Sequence, residues 1–358
     1  MLFLRPSLLG ITPYDAVIPQ SADKLDANEF PLDLPEWFKK KLSLLWEKGI
    51  PSNRYPDANH RSLKQAIATY TGVQADQISI GNGSDELIRS LLILTCLEDR
   101  GGILVASPTF AMYGILASTL GIPVKTVPRQ TSTMAMDLPI CQKAMQQESI
   151  RMVCVVDPNS PTGNPITAEE WDWIESLPLD VAVLIDEAYF EFVGKTAVTA
   201  LANHPNWIIL RTFSKAFRLA THRVGYAIAH PQVIQALEAI RLPYNLPMFS
   251  QWAVQLALEH ASELLADLPM IQQEREKLWA ALSEIPSVKV WPGVANFLFM
   301  QVEGWDPVRL QQQWLAKGTC VRHTGGGIRL TIGTPSENQR TLDNLQEILQ
   351  VSPQPVRI

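Results

Sequence analysis

Short hydrophobic runs alternate with amphipathic stretches through the middle of the chain. The runs have the length of strands, and an uninterrupted hydrophobic run is typical of a strand that is covered on both faces. The stretches between them repeat hydrophobic residues at helical spacing. This alternation predicts an α/β fold in which helices cover both faces of a parallel sheet. The predicted strands are residues 78–80, 102–106, 152–156, 181–185, 207–210 and 224–229.

Spacing and end signals predict the helices between these strands. Hydrophobic residues at helical spacing cover residues 86–97 and 110–120. Thr167 and Glu170 have the spacing of a capping box, in which each residue bonds the backbone of the other. This pair predicts that a further helix begins directly after Thr167.

The pattern changes beyond about residue 249. Long helical stretches run to residue 282 with a break at Pro269, and short strands and helices then follow without strict alternation. A second capping box, formed by Thr334 and Glu337, predicts the last helix. These features predict a smaller α+β domain. The predicted division is an N-terminal arm of residues 1–30 that packs with the small domain, a large domain of residues 31–255 and a small domain of residues 256–358.

Composition narrows the class of protein. The chain has 358 residues, of which 46% are hydrophobic and 18% are charged, so it can form a sizeable core and is not a disordered chain. A formal net charge of -6 and the lack of a basic run argue against a nucleic-acid partner. No hydrophobic run reaches transmembrane length, and the first residues lack the features of a signal peptide. We therefore expect no membrane partner and a cytoplasmic location.

The cysteines and histidines do not have the spacing of a metal site. The four cysteines are scattered without a CxxC pair, and the six histidines show no HxxxH or HExxH spacing. We expect no bound metal and a reducing compartment.

Reactive side chains follow two of the predicted strands. Lys215 comes after the strand at 207–210, and Asp186 and Tyr189 come after the strand at 181–185. Carboxyl ends of parallel strands meet at one edge of a sheet, where ligands bind. A lysine amine can form an imine with the aldehyde of pyridoxal 5'-phosphate, and an aspartate stays ionised beside a protonated pyridinium nitrogen. We predict a site for this cofactor, with Lys215 as the covalent and proton-transfer group, Asp186 at the ring nitrogen and Tyr189 at the ring oxygen.

A glycine-containing segment, residues 81–86, lies between a predicted strand and a predicted helix. Glycines let the backbone approach an anion, and the helix N-terminus offers free N–H groups to it. Ser84 adds a hydroxyl there, and Ser214 and Arg223 can reach the same phosphate. Phe110, which follows the next predicted strand, can stack on the cofactor ring.

Two further segments suit ligand binding. Residues 157–163 contain two prolines and a glycine, which predicts a rigid loop at a strand end. Arg329 lies on the opposite face of its strand from Ile328 and Leu330, where its guanidinium could bind a substrate α-carboxylate through two hydrogen bonds.

Together these motifs resemble the fold-type I aminotransferases, which depend on pyridoxal phosphate, and the histidinol-phosphate aminotransferase branch in particular. The resemblance covers nearly the whole chain. It implies a mixed, mostly parallel seven-stranded sheet in the large domain, a small α+β domain and a homodimer with shared active sites. The segments that carry it are residues 25–29 (LDANE), 54–57 (RYPD), 83–87 (GSDEL), 186–189 (DEAY), 214–217 (SKAF) and 295–297 (ANF).

The resemblance also implies roles for residues that the strand pattern does not single out. On the cofactor side, the positions that match phosphate-binding residues are Gly83, Ser84, Asp85 and, from the neighbouring subunit, Tyr55. On the substrate side, the matching positions are Asn28, Tyr14 and Arg322, the last two near the substrate phosphate, and the carboxylate-binding Arg329.

The chain departs from the family pattern at two places. Ser160 stands before Pro-Thr-Gly, where the family usually has an asparagine that touches the ring oxygen. Serine can still donate over a shorter reach, and Asn159 is an alternative donor. Thr221 and His222 precede Arg223 where glycine and an aliphatic residue are usual. The Cβ of Thr221 predicts an altered local backbone, and we expect His222 to be a partly exposed packing residue.

We expect an aminotransferase that takes an amino donor and a 2-oxo acid in turn, with L-histidinol phosphate and 2-oxoglutarate as the pair. Three alternatives stay open on the sequence. They are an aromatic amino acid aminotransferase, a pyridoxal-phosphate-dependent decarboxylase of an amino-acid phosphate on the same fold, and a module that binds the cofactor without catalysis.

Overall fold

The computed structural model describes residues 23–350, together with Arg5 and Leu8. The strands of this part are β1 (Asp23–Lys24), β2 (Ile78–Asn82), β3 (Gly102–Ser107), β4 (Val124–Pro128), β5 (Ile150–Val156), β6 (Ala182–Asp186), β7 (Trp207–Thr212), β8 (Val224–Ala229), β9 (Val288–Trp291), β10 (Phe297–Val302), β11 (Thr319–Cys320), β12 (Arg322–Thr324) and β13 (Gly327–Thr331). The helices are α1 (Glu36–Gly49), α2 (Arg61–Thr71), α3 (Ser84–Cys96), α4 (Met112–Leu120), α5 (Leu138–Gln147), α6 (Ala168–Glu175), α7 (Phe190–Val193), α8 (Pro231–Ile240), α9 (Met248–Glu259), α10 (Ala261–Leu264), α11 (Leu268–Ser283), α12 (Pro307–Ala316) and α13 (Pro335–Gln350).

The larger sheet has seven strands in the order β2-β8-β7-β6-β5-β3-β4. The strands β7, β6, β5, β3 and β4 are parallel to one another. Strand β8 is antiparallel to both β7 and β2. The strand pattern alone predicted a parallel sheet, and β8 departs from it because the chain returns from β7 without a crossover helix between them. The mixed, mostly parallel sheet that the resemblance implied is confirmed.

Hydrophobic layers cover both faces of this sheet. On one face, Val183 and Ile209 belong to a core that the helices α1, α2, α6 and α9 complete. On the other, Leu184 and Ile208 pack with residues of α3, α4 and α8. Alternate residues of one strand thus enter opposite layers, which explains why the central strands are hydrophobic along their whole length.

The second sheet is antiparallel, with the order β12-β13-β10-β9. Its core includes Ile271 of α11, Trp314 of α12 and Leu345 of α13. This is the α+β composition predicted for the C-terminal part. The boundary at residue 255 stays a prediction, since that residue lies inside α9, whose Ala253 and Val254 pack on the core of the larger sheet.

The predicted N-terminal arm falls largely outside the described residues. At its described end, β1 pairs with β11, and Arg340 Nη2 lies 2.6 Å from the buried carboxylate of Asp23. Arg5, in contrast, donates to the carbonyl oxygen of Thr119 at the end of α4, over 3.0 Å. The packing of the arm against the small domain therefore stays a prediction.

Both predicted capping boxes are confirmed. Thr167 N–H donates to Glu170 over 2.7 Å and Glu170 N–H donates to the Thr167 hydroxyl over 3.2 Å, and the pair Thr334 and Glu337 bonds in the same two ways. The break at Pro269 is also confirmed, because this proline lies in the first turn of α11. Within the described ranges, no helix combines the length and hydrophobicity needed to cross a membrane, and no cluster of side chains suits a metal ion.

Candidate active site

The carboxyl ends of β5, β6 and β7 open into a cavity of about 460 Å³, which the start of α3 and the strand β13 complete. This volume lies in the range of small-molecule sites, and the position is where open α/β sheets bind ligands. The predicted site residues that line the cavity are Ser84, Asp85, Phe110, Ser160, Asp186, Tyr189, Ser214, Lys215, Arg223 and Arg329.

Lys215 is presented to the cavity by a tightly packed turn after β7. Phe213, Ala216 and Phe217 are each fully buried, so they anchor the turn and leave the lysine side chain to face the ligand space. Its Nζ donates to the carbonyl oxygen of Ala27 over 2.8 Å. Burial, and then the nearby Arg329 cation, lower the pKa of Lys215 to about 8. The amine therefore loses its proton more readily than an exposed lysine, which favours nucleophilic attack near neutral pH.

Asp186 ends β6 with its carboxylate in the cavity wall. Its Oδ1 accepts from the backbone N–H of Ala188 over 3.0 Å, and its Oδ2 accepts from the hydroxyl of Tyr113 over 2.6 Å. Burial raises the pKa of Asp186 to about 6, and these two donors act in the opposite direction. A buried anion of this kind suits a cationic partner in the cavity.

Tyr113 is a polar residue of the site that the sequence reasoning missed. Its side chain is fully buried in α4, and the edge of its ring meets Phe110 at a centroid distance of 5.6 Å. A tyrosine at a hydrophobic helix position predicts ordinary core packing, so nothing in the local pattern indicated the bond to Asp186.

Tyr189 lines the cavity, and Asn28 lies behind it. Asn28 Nδ2 donates to the Tyr189 hydroxyl over 2.8 Å, and the Asn28 backbone N–H donates to Thr331. Asn28 is completely buried and does not line the cavity. The structure thus places this predicted substrate-binding residue as a support for Tyr189.

The start of α3 forms a cradle for an anion. Arg223 Nη2 lies 3.5 Å from Asp85 Oδ2, and its Nη1 lies 3.4 Å from Ser214 Oγ. A Cβ on Gly83, whose φ is +76°, would stand 2.5 Å from the Arg223 guanidinium. Only glycine leaves room for that cation beside the free N–H groups of the helix. The Asp85 carboxylate faces Arg223, so any phosphate contact from Asp85 must come from its backbone.

Gly225 on β8 lies against the backbone at the start of α3. A Cβ there would stand 2.4 Å from the backbone nitrogen of Ser84. We predict that Gly225→Ala displaces the start of α3, destabilises the fold by about 1–3 kcal/mol and weakens binding of pyridoxal phosphate. Denaturant unfolding and fluorescence titration of the apoenzyme with the cofactor measure the two effects. Gly114→Ala is the control for stability, since a Cβ at Gly114 meets nothing within 4 Å and its φ is not in the left-handed region.

Ser160, and not Asn159, faces the cavity. The carboxamide of Asn159 is used within the protein: it donates to Pro108 O and Thr162 Oγ1 and accepts from Thr109. These bonds connect the loop after β5 to the loop after β3. They use the Asn159 amide group, which was the alternative donor to the ring oxygen. The Ser160 hydroxyl is contacted by Arg329 Nη1 over 3.2 Å.

Arg329 and Arg322 are directly opposite each other in the antiparallel pair β12 and β13. Residues that are paired in this way project to the same face of the sheet. Arg329 lines the cavity and also donates to Asp26 O over 2.5 Å, whereas Arg322 lies outside the lining. The sheet therefore presents both residues on one face, with Arg329 in the cavity wall.

The remaining predicted residues lie at the periphery or beyond it. Tyr55 is 79% exposed and stacks on Tyr244 at a centroid distance of 4.3 Å, away from the cavity of its own chain. Tyr14 lies outside the described residues. His222 is half-buried and stacks on Phe249, as expected of a packing residue. The exposed Thr221 lies in a short 3-10 turn just before Arg223, which adopts a left-handed backbone.

The side chains of this site fit pyridoxal 5'-phosphate. An anion cradle, a buried carboxylate and a lysine of lowered pKa line one cavity, and they match the phosphate, the ring nitrogen and the aldehyde of that molecule. Phe110 offers an aromatic face between them.

Comparisons with known proteins agree with this geometry. Residues 23–345 match the family described as aminotransferase class I and II. A histidinol-phosphate aminotransferase of Synechococcus sp. (strain JA-2-3B'a(2-13)) is 67% identical over 348 residues, which cover 97% of this chain and 99% of that protein.

Two solved structures share the fold. The histidinol-phosphate aminotransferase of Sinorhizobium meliloti, in complex with pyridoxal-5'-phosphate, has a TM-score of 0.85 at 22% identity and covers 98% of each chain. The L-threonine-O-3-phosphate decarboxylase of Porphyromonas gingivalis has a TM-score of 0.79 at 18% identity and covers 92% of this chain and 100% of that one. These likenesses confirm the predicted fold-type I architecture. The family match and the similarity to the Synechococcus protein show more: the chain belongs to the aminotransferase class I and II family, as a pyridoxal-phosphate-dependent enzyme of its histidinol-phosphate aminotransferase branch.

Proposed function

We propose that this enzyme transfers the amino group of L-histidinol phosphate to 2-oxoglutarate, giving imidazole acetol phosphate and L-glutamate, as a step of histidine biosynthesis. The observation that carries the proposal is the shared cavity of Lys215, Asp186 and Arg329 in a chain 67% identical to a histidinol-phosphate aminotransferase. We also propose a cytoplasmic location, which agrees with four free and buried cysteines.

Each part of the cavity has a proposed task toward the cofactor. The bound cofactor supplies an electron sink for the electron pair that remains when the substrate Cα–H bond breaks. Asp186 would hold the protonated ring nitrogen, and Tyr189 would donate to the ring oxygen. Phe110 would lie against the ring face. The phosphate would be held by Ser84, Ser214 and Arg223 and by the N–H groups at the start of α3.

Lys215 would move the proton. With a pKa of about 8, its Nζ can accept a proton from the substrate Cα and return it at a different carbon. The Ala27 carbonyl oxygen, 2.8 Å away, orients the amine.

The two arginines would select anionic substrates. Arg329 and Arg322 project to one face of the small sheet, so they can meet the phosphate of one substrate and the carboxylate of the other in successive half-reactions. A neutral aromatic side chain offers no phosphate for an arginine to bind. This favours histidinol phosphate over phenylalanine or tyrosine as the amino donor.

We also propose a homodimer in which Tyr55 reaches the cofactor phosphate of the neighbouring subunit. Tyr55, Leu242 and Tyr244 form an exposed hydrophobic group on the described surface, with Leu242 71% exposed. Such a surface is typical of a contact between subunits. Sedimentation of the native enzyme should show a dimer, and Tyr55→Phe should weaken binding of the cofactor without loss of the dimer.

Product analysis with a panel of donors tests the proposed function. The panel contains L-histidinol phosphate, phenylalanine, tyrosine and L-threonine O-3-phosphate, each with and without 2-oxoglutarate. We expect the highest kcat/KM for histidinol phosphate and strict dependence on the 2-oxo acid. Release of CO2 without a 2-oxo acid would instead establish the decarboxylase, and a preference for phenylalanine would establish the aromatic aminotransferase.

A substitution at Arg329 should separate carboxylate binding from chemistry. Arg329→Ala should lower kcat/KM for L-glutamate by an amount equivalent to roughly 2–5 kcal/mol, because it removes one partner of a desolvated charge pair. Arg329→Lys should recover part of this loss, since it keeps the charge but not the paired hydrogen bonds. Arg151→Ala, at the amino end of β5, is the control. An unchanged KM for glutamate in Arg329→Ala would refute the placement.

A further inference from the structure

We propose that Tyr113 is a positioning residue for Asp186, and that its hydroxyl keeps this carboxylate ionised and aimed at the cofactor ring. The proposal rests on the proposed role of Asp186 at the ring nitrogen, and it is independent of which amino donor the enzyme uses. Its basis is one buried hydrogen bond of 2.6 Å between the Tyr113 hydroxyl and Asp186 Oδ2, which joins α4 to the end of β6.

The carboxylate of Asp186 is held at both oxygens. The Ala188 backbone N–H bonds Oδ1 over 3.0 Å, and this contact follows from the turn after β6 whatever the side chain at 188. The second bond depends on a side chain, so it is the one that a substitution can remove. A donor to the charged form favours ionisation, whereas burial favours the neutral acid.

For Asp186, the effect of burial on the pKa and the effect of the hydrogen-bond donors oppose each other. Burial raises its pKa to about 6, and the Tyr113 hydroxyl is the strongest influence in the opposite direction. Loss of that hydroxyl would bring the pKa up to the working pH, and a neutral acid cannot stabilise a positive charge on the ring nitrogen. The other titratable groups that act on this carboxyl are Asp85 on α3, Glu187 beside it in the chain, Cys154 on β5 and Tyr189.

Tyr113 is itself protected from titration. Burial and the adjacent Asp186 anion raise the pKa of Tyr113 well above its ordinary value, so the hydroxyl remains a donor across the working range. The same ring meets Phe110 nearly edge-on, at an interplanar angle of 84°. Tyr113 thus contacts both Asp186, the predicted partner of the ring nitrogen, and Phe110, which is predicted to stack on the ring.

Tyr113→Phe tests the hydroxyl, because phenylalanine keeps the ring that packs on Phe110. The matched control is Tyr226→Phe, which removes the hydroxyl of another fully buried tyrosine from the opposite hydrophobic layer. The carboxyl pKa of Asp186 is measured in the apoenzyme by carbon NMR with labelled aspartate, and the signal is assigned by its loss in Asp186→Asn.

We expect Tyr113→Phe to raise the pKa of Asp186 by roughly 1–2 units, which is the value of a hydrogen bond to a charged group. The dissociation constant of pyridoxal phosphate at pH 7 should rise about 2- to 10-fold, because the ionised fraction of Asp186 at that pH falls by this factor when its pKa rises by one to two units from about 6. Tyr226→Phe should leave both the Asp186 pKa and the dissociation constant of the cofactor at their native values. In an Asp186→Asn background, the effect of Tyr113→Phe on cofactor affinity should disappear.

A folded Tyr113→Phe protein with the native Asp186 pKa and cofactor affinity would overturn the proposal. If the variant does not fold, the native apoenzyme with labelled tyrosine gives the answer. The Tyr113 ring-carbon signal should then titrate with the pKa of Asp186 and stop titrating in Asp186→Asn, and a signal that is indifferent to pH would overturn the proposal equally. Native enzyme that is inactive toward histidinol phosphate would refute the proposed substrate, but it would leave these apoenzyme measurements unaffected.

Discussion

Lys215→Ala should reduce turnover by at least roughly 10⁴-fold, the upper range for loss of a positioned proton-transfer group. Of the described residues that line the cavity, Lys215 is the one that carries an amine, so no neighbour can take over the bond to the cofactor aldehyde or the proton at the substrate Cα. The visible absorbance of the lysine-bound cofactor should disappear as well. Single-turnover kinetics and absorption spectra of the reconstituted variant measure both effects.

Lys64→Ala is the control for this substitution. Lys64 is also a partly buried lysine, but it pairs with Glu238 over 3.1 Å and does not line the cavity. Its loss should leave the spectrum unchanged. Addition of methylamine to Lys215→Ala should restore a small part of the activity, because a free amine can carry the proton. A near-native rate in Lys215→Ala would refute the assignment of this lysine.

The parts of the fold that were predictable are those in which local pattern and tertiary environment agree. The central strands are covered on both faces, so their hydrophobic runs stand out from the sequence. The edge strand β4 did not, because it contains Lys125 and Thr126 and is largely half-buried or exposed. The sequence pattern also did not predict that β8 is antiparallel, because a hydrophobic run is the same for parallel and antiparallel strands.

The site was predictable where function depends on strand order alone. Lys215 and Asp186 come directly after central parallel strands, and the sheet brings such positions to one edge. The environment of Asn28 and the competition between Asn159 and Ser160 were not predictable. Both are decided by hydrogen bonds to residues far away in the chain, such as Thr331 and Pro108.

The same reasoning explains why Tyr113 escaped notice. Its position in α4 is that of a core residue, and its hydroxyl bonds to a residue that is 73 positions away in the chain. Hydrophobic burial places the ring, and the hydroxyl then meets Asp186 as a consequence of how α4 packs on α3, β3 and β4. Support for a catalytic group can therefore come from residues that a motif search classifies as core.

Asp186→Asn should act in opposite directions on catalysis and on stability. Loss of one partner of a buried charge pair should lower kcat/KM by roughly 10²- to 10³-fold, equivalent to about 3–4 kcal/mol. In the apoenzyme at pH 7, the same substitution should raise the free energy of unfolding by about 1–3 kcal/mol. The pKa of Asp186 is about 6 in the folded chain against an ordinary value of 3.8, so at pH 7 the native fold must hold a buried charge that is more stable in the unfolded chain.

The sign of the pH dependence follows from that difference. As the pH rises from 3.8 through 6, the native apoenzyme loses the stability that the retained proton provides, and asparagine, which does not titrate, loses none. Unfolding curves of both apoenzymes at pH 4, 5 and 7 should therefore diverge with increasing pH, while the exposed Asp180→Asn control stays parallel to the native protein. Added pyridoxal phosphate should reverse the order at pH 7, because only the aspartate gains a cationic partner. If the Asp186→Asn apoenzyme is less stable than the native one at pH 7, burial does not destabilise the charged carboxylate of Asp186.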